Sequence, residues 1–92
     1  MRTEWSDHAV FDLKAISEYI EQDRDPETAN RVSRTIYDAI QSLRKMPYRG
    51  RTGRVGNTRE LVITGLPYIA IYRVIEDRIE ILNIVHGAQR WP

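Results

Sequence analysis

The apolar positions in the first half of the chain recur at three- and four-residue steps, the spacing of amphipathic helices. From residue 8 to residue 22 they are Ala9, Val10, Leu13, Ile16, Tyr19 and Ile20, after a plausible capping residue, Ser6. Asp25 and Pro26 suit the start of a second helix, which ends with Arg44 and Lys45 before Met46-Pro47. Its stripe is Ala29, Val32, Ile36, Ile40 and Leu43. The short polar connection predicts an antiparallel helical hairpin.

The second half of the chain changes to β-branched and aromatic runs. They cover residues 59–64, 68–75 and 78–86, and short turn-like connections separate them. These runs predict an antiparallel meander, and residues 2–5 are expected to add an edge strand. Together the patterns predict one α+β domain, residues 1–92, in which an N-terminal helical hairpin packs on a small antiparallel β-sheet.

Side chains alternate between the two faces of a strand, and in each of the three strands one polar side chain shares a face with apolar ones. The sets are Leu61 and Ile63 with Arg59, Ile69 and Ile71 with Arg73, and Leu82 and Ile84 with His86. The sheet is therefore expected to expose polar groups beside an apolar floor.

Composition narrows the classes of function. The 92 residues include no cysteine, which excludes disulfide and thiolate chemistry and permits a reducing cytoplasm. The N-terminal sequence has no apolar run of signal-peptide length, so a cytoplasmic location without membrane contact is expected. The net charge is only +1, but residues 1–43 carry five basic and nine acidic groups and residues 44–92 carry nine and four. This split predicts a basic face for an anionic partner.

The segment "PYRGRTGRVGNTRE", residues 47–60, holds four of the arginines and three glycines. Arginine binds phosphate or carboxylate bidentately, and glycine permits close backbone approach. The segment lacks the spacing of a P-loop or a dinucleotide fingerprint, and the two histidines do not form a metal set. We expect no cofactor and no metal. Arg49, Arg51 and Arg54 are interpreted as a flexible electrostatic rim.

The other candidate residues each have two interpretations. Arg59 and Arg73 either contact a ligand or form ion pairs with nearby glutamates. His86 is either a general acid or base or a structural residue, and Trp91 either stacks on a base or packs. The residues proposed to bind a target or nucleic acid are Arg49, Arg51, Arg54, Arg59, Arg73, Arg90 and Trp91.

Four segments, in order, resemble the RelE/ParE superfamily of type II toxin–antitoxin toxins. They are "AVFDLKAISEYI", the run from "PYRGRTGR" to "TREL", "YIAIYRV" and "IEILNIVHGAQRWP". The resemblance covers nearly the whole chain. It implies a small toxin with a helical hairpin packed on an antiparallel sheet, neutralised by a cognate antitoxin that alone contacts operator DNA.

The superfamily has two branches: RelE-like toxins cut mRNA on the ribosome, and ParE-like toxins poison DNA gyrase. The catalytic arginine of RelE-like chains falls on Ile69 here, which favours the ParE-like branch. Membership of the ParE-like branch, which the resemblance favours, implies a growth-inhibiting toxin of a plasmid-stabilisation (addiction) module that targets DNA gyrase and, in that case, is not an enzyme.

The alternative that the resemblance leaves open is a ribosome-dependent mRNA endonuclease. It would be a metal-independent enzyme with His86, Arg59 and Arg73 as its catalytic residues. A third reading is a degenerate, non-toxic basic binding module.

Overall fold

Two helices cover one face of a five-stranded sheet in the part of the chain that the computed structural model describes, residues 1–88 and Trp91. The order of elements is β1 (Arg2–Trp5), α1 (Asp7–Asp23), α2 (Pro26–Gln41), a 3-10 turn (Ser42–Arg44), β2 (Arg51–Thr52), β3 (Arg59–Val62), β4 (Tyr68–Ile75) and β5 (Arg78–His86). The predicted α+β class is confirmed.

Both helices begin at the residues that the sequence predicts as caps. The Ser6 Oγ accepts a hydrogen bond from the Ala9 N–H at 3.0 Å, and an Asp25 carboxylate oxygen accepts one from the Thr28 N–H at 2.6 Å. This bond stabilises the charged carboxylate and lowers the pKa of Asp25. Helix α2 ends at Gln41, earlier than predicted, because the Ser42 hydroxyl binds the Ala39 carbonyl and the backbone tightens into the 3-10 turn.

Helix α1 carries more apolar residues than the sheet covers. Ala9 is fully buried, but Val10 is 54% exposed and Tyr19 is 65% exposed. Val10 and Tyr19 belong to the helix-spaced apolar pattern of residues 8–22, but the structure leaves both exposed. Successive helical residues lie about 100° apart, so Ala9 and Val10 cannot both face the sheet squarely.

The sheet order is β1-β5-β4-β3-β2, so the predicted strand at residues 2–5 lies at an edge. It pairs with β5 in parallel, with Arg2 opposite Arg78, whereas the other neighbouring strands are antiparallel. The sheet is therefore mixed rather than wholly antiparallel. A parallel pair needs a long crossover, and here the helical hairpin and the meander separate the two strands in sequence.

A register shift interrupts the β4–β5 ladder between Ile71, opposite Asn83, and Tyr72, opposite Ile81. Leu82 is therefore an extra residue on β5, as in a β-bulge. The bulge lets Ile79, Ile81 and Ile84 all join the core despite their broken alternation. The prediction that Leu82 and Ile84 share a face missed this bulge.

The core lies between the helices and the covered face of the sheet. Its buried members are Ala9, Val32, Ile36, Ile40, Leu43, Leu61, Ile63, Ala70, Tyr72, Ile79, Ile81 and Ile84. Glu60 and Ile71, which are paired across β3 and β4, alternate with these residues and belong to the opposite, open face. Within the described residues, the helices are too short or too polar to cross a membrane.

Candidate functional site

The arginine-rich segment folds into a β-hairpin. Arg51 pairs with Glu60 and Thr52 with Arg59, and the Gly53 N–H donates to the Thr58 carbonyl at 2.8 Å. The turn uses a left-handed residue, Asn57, with φ of 65°. The basic segment therefore adds a short edge strand, β2, which the sequence patterns did not predict, beside the predicted strand β3.

A partly buried ion pair holds the first strand of this hairpin. The Arg51 Nε and Nη2 donate to one carboxylate oxygen of Glu60 at 3.1 and 2.9 Å. The other oxygen accepts the Arg54 backbone N–H at 3.4 Å. Glu60 is only 8% exposed, so a fixed carboxylate compensates the charge of Arg51, whose own side chain is largely exposed.

The Glu60 carboxylate lies in a small cavity on the open face, named here the Arg51 site. Its lining residues are Arg51, Arg54, Glu60, Ile69, Ile71, Val85, His86, Gly87 and Trp91. The cavity volume is about 40 Å³, which has room for only a few water molecules. A nucleotide base does not fit inside this cavity, so a nucleic acid would have to bind over its rim.

His86 is exposed at the rim of the Arg51 site. Its Nδ1 accepts the Ala88 N–H at 3.1 Å, and its ring packs edge-on against Tyr68 with centroids 5.8 Å apart. Arg73 lies five residues along β4 from Tyr68, the residue opposite His86, a span of roughly 17 Å. The structure therefore does not bring His86 together with Arg73.

Arg59 lies near the other end of the sheet and faces the helix side, as its partner Tyr72 does. Its Nη1 donates to the Gly50 carbonyl at 2.6 Å and more weakly to the Tyr48 carbonyl at 3.5 Å. The guanidinium carbon stands 5.0 Å from the centre of the Tyr48 ring, within cation–π range. Arg59 is thus held by neutral partners.

Arg73 lies on the opposite face and is paired with an acid. Its Nε and Nη2 contact one carboxylate oxygen of Glu80 at 2.8 and 2.6 Å. Glu80 also approaches Arg78, which binds Glu4 at 2.7 Å. This ion-pair ladder across β4, β5 and β1 matches the structural interpretation of Arg73.

The remaining predicted residues are dispersed. Arg49 is exposed and donates to the Ser42 hydroxyl at 2.8 Å. Arg54 lines the Arg51 site, and the Trp91 Nε1 donates to the Asn83 side-chain oxygen at 3.3 Å. Arg90 falls outside the described residues. The six candidates that the structure describes therefore do not converge on one site.

Sequence reasoning missed two features. Glu60 was treated only as a potential partner of an arginine, because the hairpin that brings it to Arg51 was not foreseen.

The second feature is an apolar groove outside the helical hairpin, the helix groove, lined by Trp5, Val10, Leu13, Lys14, Ser17, Glu18, Ser33 and Tyr37. Trp5 and Tyr37 stack across it with ring centroids 6.3 Å apart. The sequence signal that could have predicted this groove is that α1 carries more apolar residues than the sheet covers.

The described residues contain no group of three or more histidine and acidic side chains that could hold a metal ion. The Ser33 hydroxyl is the one side-chain polar atom in the described part that is buried without a hydrogen-bond partner. It lies in the helix groove.

A helical hairpin on a mixed sheet, with a basic hairpin at the sheet edge, is the α+β architecture expected from the resemblance to small toxins. The profile of the family described as "ParE toxin of type II toxin-antitoxin system, parDE" matches residues 3–91. The chain belongs to this ParE toxin family, and membership implies a cognate antitoxin partner.

Two relatives agree with this assignment. "Putative toxin Y4kP" of Sinorhizobium fredii (strain NBRC 101917 / NGR234) is 44% identical over 91 residues, which are 99% of this chain and 93% of that protein. A solved structure, "Chromosomal ParDE TA system from P. aeruginosa", is 28% identical and superposes with a TM-score of 0.88, covering 94% of this chain and 95% of that one.

Proposed function

We propose that this ParE-family toxin inhibits growth by acting on DNA gyrase in the cytoplasm and that its cognate antitoxin neutralises it. The observation that carries the choice of target is the Glu60 carboxylate in the Arg51 site. Cleavage of RNA requires cations that hold phosphate and stabilise developing negative charge. Here the Arg51 guanidinium is paired with the buried Glu60 carboxylate. The same cavity is lined by Ile69, where the RelE-like chains carry a catalytic arginine.

The helix groove supports neutralisation by an antitoxin. Its volume is about 530 Å³ and its walls are almost wholly apolar, with Val10 and Tyr37 exposed by 54% and 46%. A contiguous apolar groove of this kind suits an amphipathic helix or apolar segment of a partner. Arg49 and Arg54 remain exposed elsewhere for an acidic segment of the same antitoxin.

Ribosome-dependent RNA cleavage is the second candidate, because the Arg51 site does combine His86 with Arg51 and Arg54. A general base beside cations is what metal-independent cleavage requires. The absence of Arg59 and Arg73 from this site limits that mechanism to His86 and the two hairpin arginines.

Induced expression in cells without the antitoxin separates the candidates. A gyrase poison should induce a DNA-damage reporter and leave gyrase covalently attached to DNA, with transcripts intact. A ribonuclease should cut ribosome-bound transcripts without trapped gyrase. Transcript cleavage alone would overturn the gyrase proposal, and normal growth despite a folded protein would point to a degenerate binding module.

A further inference from the structure

A groove between the end of β4 and the β2–β3 hairpin, named here the Arg59 groove, has a volume of about 600 Å³ and mixed polar and apolar walls. Its lining residues are Tyr48, Thr52, Asn57, Thr58, Arg59, Arg73, Val74 and Ile75. A volume of this size is typical of sites that take a small ligand or a few residues of peptide.

The groove contains one positioned cation. Two backbone carbonyls and the Tyr48 ring hold the Arg59 guanidinium. No described residue places a carboxylate within 4.0 Å of it, and none accepts a hydrogen bond from its Nε or Nη2. These donors can therefore bind a carboxylate from outside, and little side-chain entropy remains to be lost.

The groove also exposes a strand edge. Strand β3 begins at Arg59, opposite Tyr72, whereas β4 runs on to Ile75 with only β5 beside it. The Ile63 N–H donates to the Tyr68 carbonyl, so Tyr68 and every second residue after it direct their backbone groups away from β5. Val74 is the first of these without a β3 residue opposite, because the chain turns away at Asn57.

We propose that the Arg59 groove binds an extended peptide segment of a protein partner, with a carboxylate on the Arg59 guanidinium and the peptide backbone on Val74. The Val74 N–H and C=O face the edge of β4 that β3 leaves uncovered, so they can pair with a peptide by β-strand addition, and Ile75 supplies an apolar wall for a side chain. A nucleic acid fits less well, because phosphate binding draws on several free cations and Arg73 is already paired with Glu80. The site is separate from the helix groove and does not depend on gyrase being the target.

A peptide titration of the isotope-labelled full chain, followed by NMR, tests this site. The probe is acetyl-Glu-Val-Glu-Val-Glu-amide, and the comparison ligands are acetyl-Gln-Val-Gln-Val-Gln-amide and hexathymidylate. The acidic peptide should shift the Arg59 Nε–H and the Val74 and Ile75 amide resonances, and its neutral analogue should bind about tenfold or more weakly. The Arg59 side-chain resonance reports on the wild-type protein, so this readout needs no variant.

Two variants that remove the same charge distinguish binding at Arg59 from a general effect of the protein's net charge. Arg59→Gln should weaken binding of the acidic peptide by about tenfold, whereas Arg34→Gln removes the same charge from an exposed position on α2 and should leave it unchanged. Equal losses in both variants, or tighter binding of hexathymidylate than of the peptide, would overturn the proposal. A failure here leaves the gyrase proposal untouched, because that proposal is tested by trapped gyrase in cells.

Discussion

The Tyr72 hydroxyl ties the start of the arginine-rich segment to the core, and its removal gives a sharp test of the fold. Tyr72 is fully buried. Its hydroxyl accepts the Gly50 N–H at 2.8 Å and donates to the Pro47 carbonyl at 2.8 Å. Tyr72→Phe deletes both hydrogen bonds and changes the shape of the core little.

The expected loss follows from these two bonds. Each contributes roughly 0.5–1.5 kcal/mol net, and leaving the buried Gly50 N–H without a partner raises the cost further, so the free energy of unfolding should fall by about 2–4 kcal/mol. Urea denaturation should show a lower midpoint with the same m-value. Tyr37→Phe is the control: Tyr37 is 46% exposed and its hydroxyl has no bond to a described residue, so that change should cost under about 0.5 kcal/mol. If Tyr72→Phe lowered the free energy of unfolding as little as the control does, the stabilising role of the two Tyr72 hydroxyl hydrogen bonds would be refuted.

The same hydroxyl gives a pH signature. Burial raises the pKa of Tyr72 above its ordinary value of 10.0, although the Gly50 N–H and Arg59 act in the opposite direction. Because the pKa is higher in the folded state, this stabilisation is complete below the unfolded pKa and is lost as pH rises through the folded one. Above about pH 10 the wild type should therefore lose stability more steeply than Tyr72→Phe, and parallel curves would contradict this.

Three further predictions concern Gly50, the helix groove and Glu60. A Cβ at Gly50 would lie 2.7 Å from the Tyr72 ring, so Gly50→Ala should cost about 1–3 kcal/mol in urea denaturation, while Gly56→Ala, with open space around it, should be neutral. Val10→Asp in the helix groove should weaken antitoxin binding by about tenfold or more in calorimetry, whereas Val62→Asp, 52% exposed on β3, should not; equal effects would remove the groove from the interface. Glu60→Gln uncovers one cation, so short RNA should bind about tenfold more tightly at 50 mM salt by fluorescence anisotropy, and an unchanged affinity would show that Glu60 does not screen the site.

The features that the sequence predicted correctly are those set by local chemistry. Ser6 and Asp25 cap helices with side chains that reach only three residues ahead. The strands follow from β-branched runs whose period-two alternation persists from Arg59 to Ile63. These signals sit within a few residues of one another, so a single sequence is enough to read them.

The features that it missed depend on residues far apart in the chain. The parallel pairing of Arg2 with Arg78 needs the whole intervening fold, and the bulge at Leu82 appears only when β5 is laid against β4. The candidate site was predicted less accurately than the fold for the same reason. The arginine-rich segment marked Arg51 as a candidate. The Glu60 carboxylate that neutralises the charge of Arg51 comes close to it only after the hairpin forms.

The most direct test of the gyrase proposal uses purified components. The wild-type protein is added to DNA gyrase with relaxed plasmid and ATP, and in parallel to translating ribosomes with a defined mRNA. The account predicts that supercoiling stops and gyrase-cleaved plasmid accumulates, that the antitoxin reverses both effects, and that the mRNA stays intact. Unimpaired supercoiling together with cleaved mRNA would contradict it and would identify the Arg51 site, with His86 at its rim, as a ribonuclease centre.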